Sequence, residues 1–120
     1  MKNLLTRKSI RKYSEKEVPD ELLGRLLNEA ARTQTMGNLQ LYSVILTRSS
    51  KMKERLAPAH FNQPMVTCAP VVLTICADFN RTSQWARCRK ADPGYENLLS
   101  FQNAAIDALL YTQTLCNLMD

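Results

Sequence analysis

ENLLSFQNAAIDALLYTQTLCNLM, residues 96–119, is the stretch on which the fold turns. Its apolar residues (Leu98, Leu99, Phe101, Ala104, Ala105, Ile106, Ala108, Leu109, Leu110, Leu115, Cys116 and Leu118) fall around most of a helical circumference. A helix that is apolar on every side is a central one, packed against several neighbours. The rest of the chain offers little to cover it, because only two strands can be found and a sheet usually has about four to six. The helix also runs out at Asn117-Leu118-Met119-Asp120 without a glycine cap, and Asp120 places an acid at the negative end of the dipole. Such a helix predicts either partner subunits or further chain to complete the fold.

Working outward, Pro19 to Arg32 (PDELLGRLLNEAAR) is the clearest second helix. Pro19 suits the first helical position, Asp20 and Glu21 suit the positive end of the dipole, and Arg32 closes the last turn. Leu22/Leu26/Ala30 and Leu23/Leu27/Ala31 form two adjacent rows that predict one broad buried face. TQTMGN follows as a polar loop, with Gly37 and Asn38 as turn residues. Leu41 to Thr47 and Val71 to Ala77 have the length and β-branched content of strands. Their apolar residues run on without alternating, which predicts burial on both faces. Pro70 stands where a strand tolerates it, before the first paired residue. Ser50 to Leu56 predicts a short charged helix ending before Pro58, and Asp78 to Lys90 a basic one, followed by an Asp92-Pro93-Gly94 turn.

The chain has 120 residues, 45% hydrophobic and 22% charged, which fits one globular domain and excludes disorder by composition. No apolar run reaches the roughly 20 residues of a membrane span, and the opening MKNLLTRKSIRKYS lacks the apolar core of a signal peptide. A cytoplasmic location is expected. The net charge of +5 is uneven. All sixteen bases lie in residues 1–90 against seven acids, while residues 91–120 hold four acids and no base. Lys2, Arg7, Lys8, Arg11, Lys12 and Lys16 crowd the first sixteen positions, a cluster suited to an anionic partner. Cys68, Cys76, Cys88 and Cys116 form no CxxC pair and do not combine with His60 at metal-ligand spacing, so reduced, structural cysteines and no metal are expected.

No GxSxG, HExxH or GxxxxGK[ST] occurs, and three glycines cannot build a GxGxxG loop. His60 reads as a loop residue. Asp78, after the second strand, suits either a functional carboxylate or an N-cap for the helix that follows. No set of side chains amounts to a self-contained catalytic machine, so no catalytic residue is assigned and any redox or transfer chemistry would fall to a cofactor. Within Arg7-Lys8-Ser9-Ile10-Arg11-Lys12-Tyr13, a helical conformation would put Arg7 and Arg11 one turn apart with the Ser9 hydroxyl nearby, a donor set for a terminal phosphate. The same bases could touch nucleic acid, but the aromatic residues are not interleaved with them as a stacking platform requires.

Arg7 to Tyr13, followed by Val18-Pro19-Asp20-Glu21-Leu22-Leu23, resembles the opening of the nitroreductase superfamily of FMN-dependent oxidoreductases, an R-x-S-x-R-x-[FY] turn and a V-P-x-E-x-[IL] helix. Gly37-Asn38-Leu39-Gln40 is similar to that family's S-x-N-x-Q loop. Gln63-Pro64-Met65-Val66 and Ala69 to Arg81 resemble its next loop and second strand, and residues 96–119 its central dimer helix.

The resemblance implies an α+β fold of helices around a central sheet, of which residues 1–120 are a single domain holding the N-terminal part. It implies that Arg7, Ser9 and Arg11, aided by Lys8, hold the FMN phosphate and ribityl chain. Gln63 would face the polar edge of the flavin ring. Thr35, Met36 and Asn38 would reach the flavin of the other subunit in a homodimer. Two positions depart from the family pattern: Met36 stands where a small polar residue is usual, which leaves it a backbone or apolar role, and Leu41-Tyr42 replaces a Pro-aromatic pair. The implied activity is ping-pong hydride transfer from NAD(P)H through flavin to nitroaromatics, quinones or flavins, with neither nucleic acid nor membrane as partner. A flavin-binding chain without turnover, a basic nucleic-acid-binding module, and a flavin-using dehalogenase or flavin-cleaving enzyme are the competing expectations.

Overall fold

The computed structural model describes residues 5–94 and 96–119; Lys2 and Asp120, which entered the charge and dipole arguments, lie outside the described residues. The elements are α1 (Asp20–Ala30), a 3-10 turn (Met36–Asn38), β1 (Tyr42–Thr47), α2 (Ser50–Leu56), a second 3-10 turn (Ala57–His60), α3 (Pro64–Cys68), β2 (Val72–Ala77), α4 (Asn80–Cys88) and α5 (Leu98–Met119). The short helix α3 has no counterpart among the sequence expectations. Its five residues are too few for a periodic signal, and Pro64 at its first turn was its only mark.

β1 and β2 pair antiparallel, with Tyr42 opposite Ala77, Val44 opposite Ile75 and Leu46 opposite Leu73. One face of this ribbon packs on the helices. Tyr42 belongs to the buried core with Ala30 of α1 and Ala108, Tyr111 and Leu115 of α5, and Val44, Leu73 and Ile75 pack against it. The centre of that core is the ring of Tyr111, which stacks on Tyr42 with centroids 4.3 Å apart and donates its hydroxyl to the Leu27 carbonyl at 3.2 Å. Burial raises the pKa of both tyrosines, in each case chiefly by stripping water from the ionised form.

Three sequence expectations need correction. Pro19 is the N-cap of α1 (φ −59°, ψ 141°) and not its first helical residue; its carbonyl opens the helix by accepting the Leu23 N–H at 3.0 Å. The broad buried face of α1 is narrower than its pattern, since Leu23 and Ala30 are buried and Leu22 is exposed. The strands are not covered on both faces either: Ile45, which points away from the helices by strand alternation, is exposed. Among the described residues only one layer of helices packs on the ribbon, through α1 and α5.

α5 shows the same one-sidedness. Ser100, Ala104, Asp107, Ala108, Tyr111 and Leu115 form a single buried stripe with the 3–4 spacing of one helix face. Leu98, Leu99, Phe101, Ile106 and Leu109 are more than half exposed. Asn97 caps the start, its Oδ1 accepting the Ser100 N–H at 2.8 Å. The helix is therefore central by composition yet packed on one side only.

Candidate functional site

Arg7, Lys8, Ser9 and Arg11 lie on an exposed, non-helical segment. The shared helical face that would have set Arg7 and Arg11 one turn apart is not formed. Arg7/Arg11 and Lys8/Lys12 are like-charge i,i+4 pairs, which oppose a helix, and Ile10 alone cannot give one an apolar face. The segment is anchored at its far end instead. Tyr13 and Val18 line an apolar groove of about 490 Å3 with Leu23, Leu26, Met65 and Leu73. The guanidinium of Arg48 holds the turn into α1, donating to the Val18 carbonyl at 2.8 Å and to Asp20 at 2.6 Å.

Thr35, Met36 and Asn38 share one loop whose backbone is unusual. Gly37 (φ 53°), Asn38 (φ 56°) and Gln40 (φ 51°) all take left-handed conformations, which glycine and asparagine tolerate best. The loop is tied down from two helices. From α5, Asp107 accepts the Met36 N–H on Oδ1 at 2.9 Å and the Leu41 N–H on Oδ2 at 3.1 Å. From α4, the Arg81 guanidinium donates to the Gln40 carbonyl and the Thr82 hydroxyl to the Leu39 carbonyl at 3.4 Å. The Met36 N–H is thus committed, and what Met36 leaves free is its half-exposed side chain. The side-chain amide of Asn38 makes no hydrogen bond among the described residues, and it borders a groove of about 310 Å3 with Arg81, Thr82 and Trp85. The Thr35 hydroxyl oxygen is buried and has no hydrogen-bond partner among the described residues.

Gln63 is the exposed N-cap of α3, directly after Phe61 (φ 55°) and Asn62 (φ 53°). A solvent-facing phenylalanine held left-handed is a genuine outlier, of the kind that gathers at ligand-facing loops. His60 ends the preceding 3-10 turn and is exposed, as a loop residue. The three groups (residues 7–11, residues 35–38 and Gln63) share no hydrogen bond among the described residues.

Asp78 stands one residue before the N-cap of α4, which is Phe79, and still serves the start of that helix. Its Oδ1 accepts the Arg81 N–H at 3.2 Å at the start of α4, and its Oδ2 accepts the Ser43 hydroxyl of β1. The Ser43 hydrogen bond is the main reason its pKa is lowered, with the Arg81 amide and charge helping and partial burial opposing. A folded-state pKa below the unfolded one stabilises the protein above the unfolded value and is lost as pH falls through the folded one. Ser43→Ala should therefore cost about 1 kcal/mol at neutral pH. That cost should shrink as the pH falls below the ordinary carboxylate range, as read by urea unfolding across pH.

The cysteines are all free; Cys68 and Cys88 are exposed, so burial does not give those two a structural role. Among the described residues, no group of three or more His, Cys, Asp and Glu could hold a metal, and no helix is long and apolar enough to cross a membrane.

Residues with long-range roles escaped the sequence analysis, among them Asp107, Arg81, Arg48 and Lys53, the last buried with its ammonium on the Ala69 carbonyl at 2.8 Å. Asp107 had one visible signal, an acid set in the apolar stripe of a central helix. Nothing in the sequence said where its partners would be.

The fold and loops described above define a class. Residues 4–78 match the nitroreductase family model, more than half of the chain, and the chain belongs to the nitroreductase family. It is 40% identical over 74 residues to an NADH dehydrogenase of Thermus thermophilus, covering 62% of this chain and 36% of that protein. It is 32% identical over 81 residues to an FMN reductase [NAD(P)H] of Bacillus subtilis, covering 68% and 32%. Among solved structures, a chain described as an oxidoreductase of Bacteroides fragilis superposes with a TM-score of 0.96 at 54% identity, covering 98% of this chain and 48% of that one. The NfrA1 nitroreductase of B. subtilis superposes with a TM-score of 0.89 at 28% identity, covering 95% and 47%. The chain spans about a third of the length of these curated relatives and about half of these solved chains.

Proposed function

We propose that this protein is an FMN-dependent NAD(P)H oxidoreductase of the nitroreductase type, working in the cytoplasm as a homodimer with flavin at the subunit interface. Residues 1–120 supply the N-terminal part of its single domain. The observation that carries this is a division among the polar side chains. Arg48, Lys53, Arg81 and Asp107 all have protein partners. Arg7, Lys8, Ser9, Arg11, Asn38 and Gln63 have none among the described residues, and the Thr35 oxygen is buried without one. Buried polar groups are normally paired, so the Thr35 hydroxyl fits a ligand-facing loop.

The donor chemistry fits the nucleotide. Arg7 and Arg11 each offer a planar fork of donors, and Ser9 and Lys8 add a hydroxyl and an ammonium, which together suit a phosphate and a hydroxylated chain. The Gln63 and Asn38 amides can both donate and accept, as the mixed polar edge of a flavin ring requires. When bound, FMN would supply the hydride chemistry of a proposed ping-pong transfer from NAD(P)H to a nitroaromatic, quinone or flavin acceptor. The chain's own residues bind and orient; none needs to act as a nucleophile. The exposed apolar side of α5, with Leu98, Leu99, Phe101, Ile106 and Leu109, supports a second subunit there. Neither nucleic acid nor membrane enters this scheme.

The full-length protein is expected to be yellow as purified, to regain flavin absorbance after dialysis against FMN, and to oxidise NAD(P)H when an acceptor is added. A protein that stays colourless after that dialysis overturns the proposal. Flavin retention without NAD(P)H oxidation would leave a flavin-binding protein without turnover.

A further inference from the structure

We propose that Asp107, on the central helix, is a positioning residue that clamps the mouth of the 36–41 loop and so sets where Asn38 and Thr35 stand. The proposal rests on the flavin reading for its ligand, but its geometry stands alone. Asp107 is 1% exposed, and its two oxygens take the N–H groups of Met36 and Leu41. One carboxylate thus pins the chain where it enters the loop and where it leaves. Between those points lie Gly37, Asn38 and Gln40, all left-handed. Such backbone persists only where its surroundings over-determine it. Leu41 is held on its other side as well, its carbonyl accepting the Asp78 N–H at 2.8 Å.

The choice of residue follows from the burial. The neighbours of Asp107 on the α5 stripe are Ala104, Ala108 and Tyr111, and an apolar residue among them would pack. It would also leave the Met36 and Leu41 amides without that acceptor, whereas a carboxylate offers a separate oxygen to each donor. Burying its charge is costly, and the two charge-assisted hydrogen bonds offset that cost. The carboxylate also ties the loop to the one helix that the apolar side of α5 would bring against a second subunit. Loop position and subunit packing are then carried by the same rigid element.

Asp107→Asn keeps the shape but offers one acceptor oxygen, so one of the two amides loses its partner. In the full-length protein without flavin, amide hydrogen exchange at Met36 or Leu41 should rise by about tenfold, while Leu23 and Leu27 in α1 exchange as in the wild type. FMN affinity should fall by about tenfold as Asn38 and Thr35 lose their placement. Tyr111→Phe, which removes a hydrogen bond from the same helix stripe without touching the loop, should leave both readouts unchanged. Unaltered exchange at both loop amides overturns the clamp. So does faster exchange spread evenly over α1 and the loop. Faster loop exchange with unchanged FMN affinity overturns the positioning role. If the wild-type protein binds no FMN, the flavin reading fails, and the exchange comparison still decides whether Asp107 clamps the loop.

Discussion

Arg11→Ala should weaken FMN binding to the full-length protein by about 10–100-fold, the loss of a charge-assisted contact to phosphate worth about 1.5–3 kcal/mol. Adding Arg7→Ala should weaken it further. Both side chains are exposed and without protein partners among the described residues, so thermal stability should move by no more than about 0.5 kcal/mol. Riboflavin, which keeps the ribityl chain and lacks the phosphate, isolates the phosphate contact: its affinity should fall much less than that of FMN in Arg11→Ala. The FMN difference should also narrow as ionic strength rises, because salt screens exposed charge. Fluorescence titration with the two flavins checks all of this. Equal FMN affinity in wild type and variant would remove the basic segment from the site.

Tyr111→Ala should destabilise the protein by about 3–5 kcal/mol, a large share of the roughly 5–15 kcal/mol that holds a domain folded. The ring is 2% exposed at the junction of α1, α5 and β1, and its removal leaves a cavity beneath Tyr42. Tyr111→Phe keeps the ring and the stack and loses only the hydrogen bond to Leu27, so about 1 kcal/mol should go. A raised folded-state pKa adds a second signature. Stability from the neutral phenol is complete below the unfolded tyrosine pKa and is lost as pH rises through the folded one. Tyr111→Phe should therefore lessen the alkaline loss of stability. Urea unfolding at neutral and alkaline pH measures both, and a Tyr111→Ala protein as stable as the wild type would mean that the core lies elsewhere.

Local patterns carried most of the elements. The i,i+4 rows marked α1, Ser50–Leu56 matched α2 to the residue, and both strands lie within one residue of their apolar runs. The basic segment was read as a phosphate fork on the condition that it were helical, and that condition is not met, since its like charges repel and it lacks an apolar face. The candidate site residues were chosen by side-chain type, through Arg7, Ser9, Arg11, Asn38 and Gln63. Their supports were not: Arg81 meets Gln40 across 41 positions, and Asp107 meets Leu41 across 66.

By itself the sequence determined both strands and the helices other than α3, the excess of positive charge near the amino terminus, and a central helix too apolar for the described residues to cover. These follow from spacings of two to four residues, where the geometry of helix and strand is the only unknown. The tertiary structure decided which face of each strand is buried, that the 36–41 loop is held left-handed, and that a lone carboxylate on α5 secures it. Those outcomes depend on which distant backbone groups a fold brings within about 3 Å of a buried charge, a distance that no local pattern encodes.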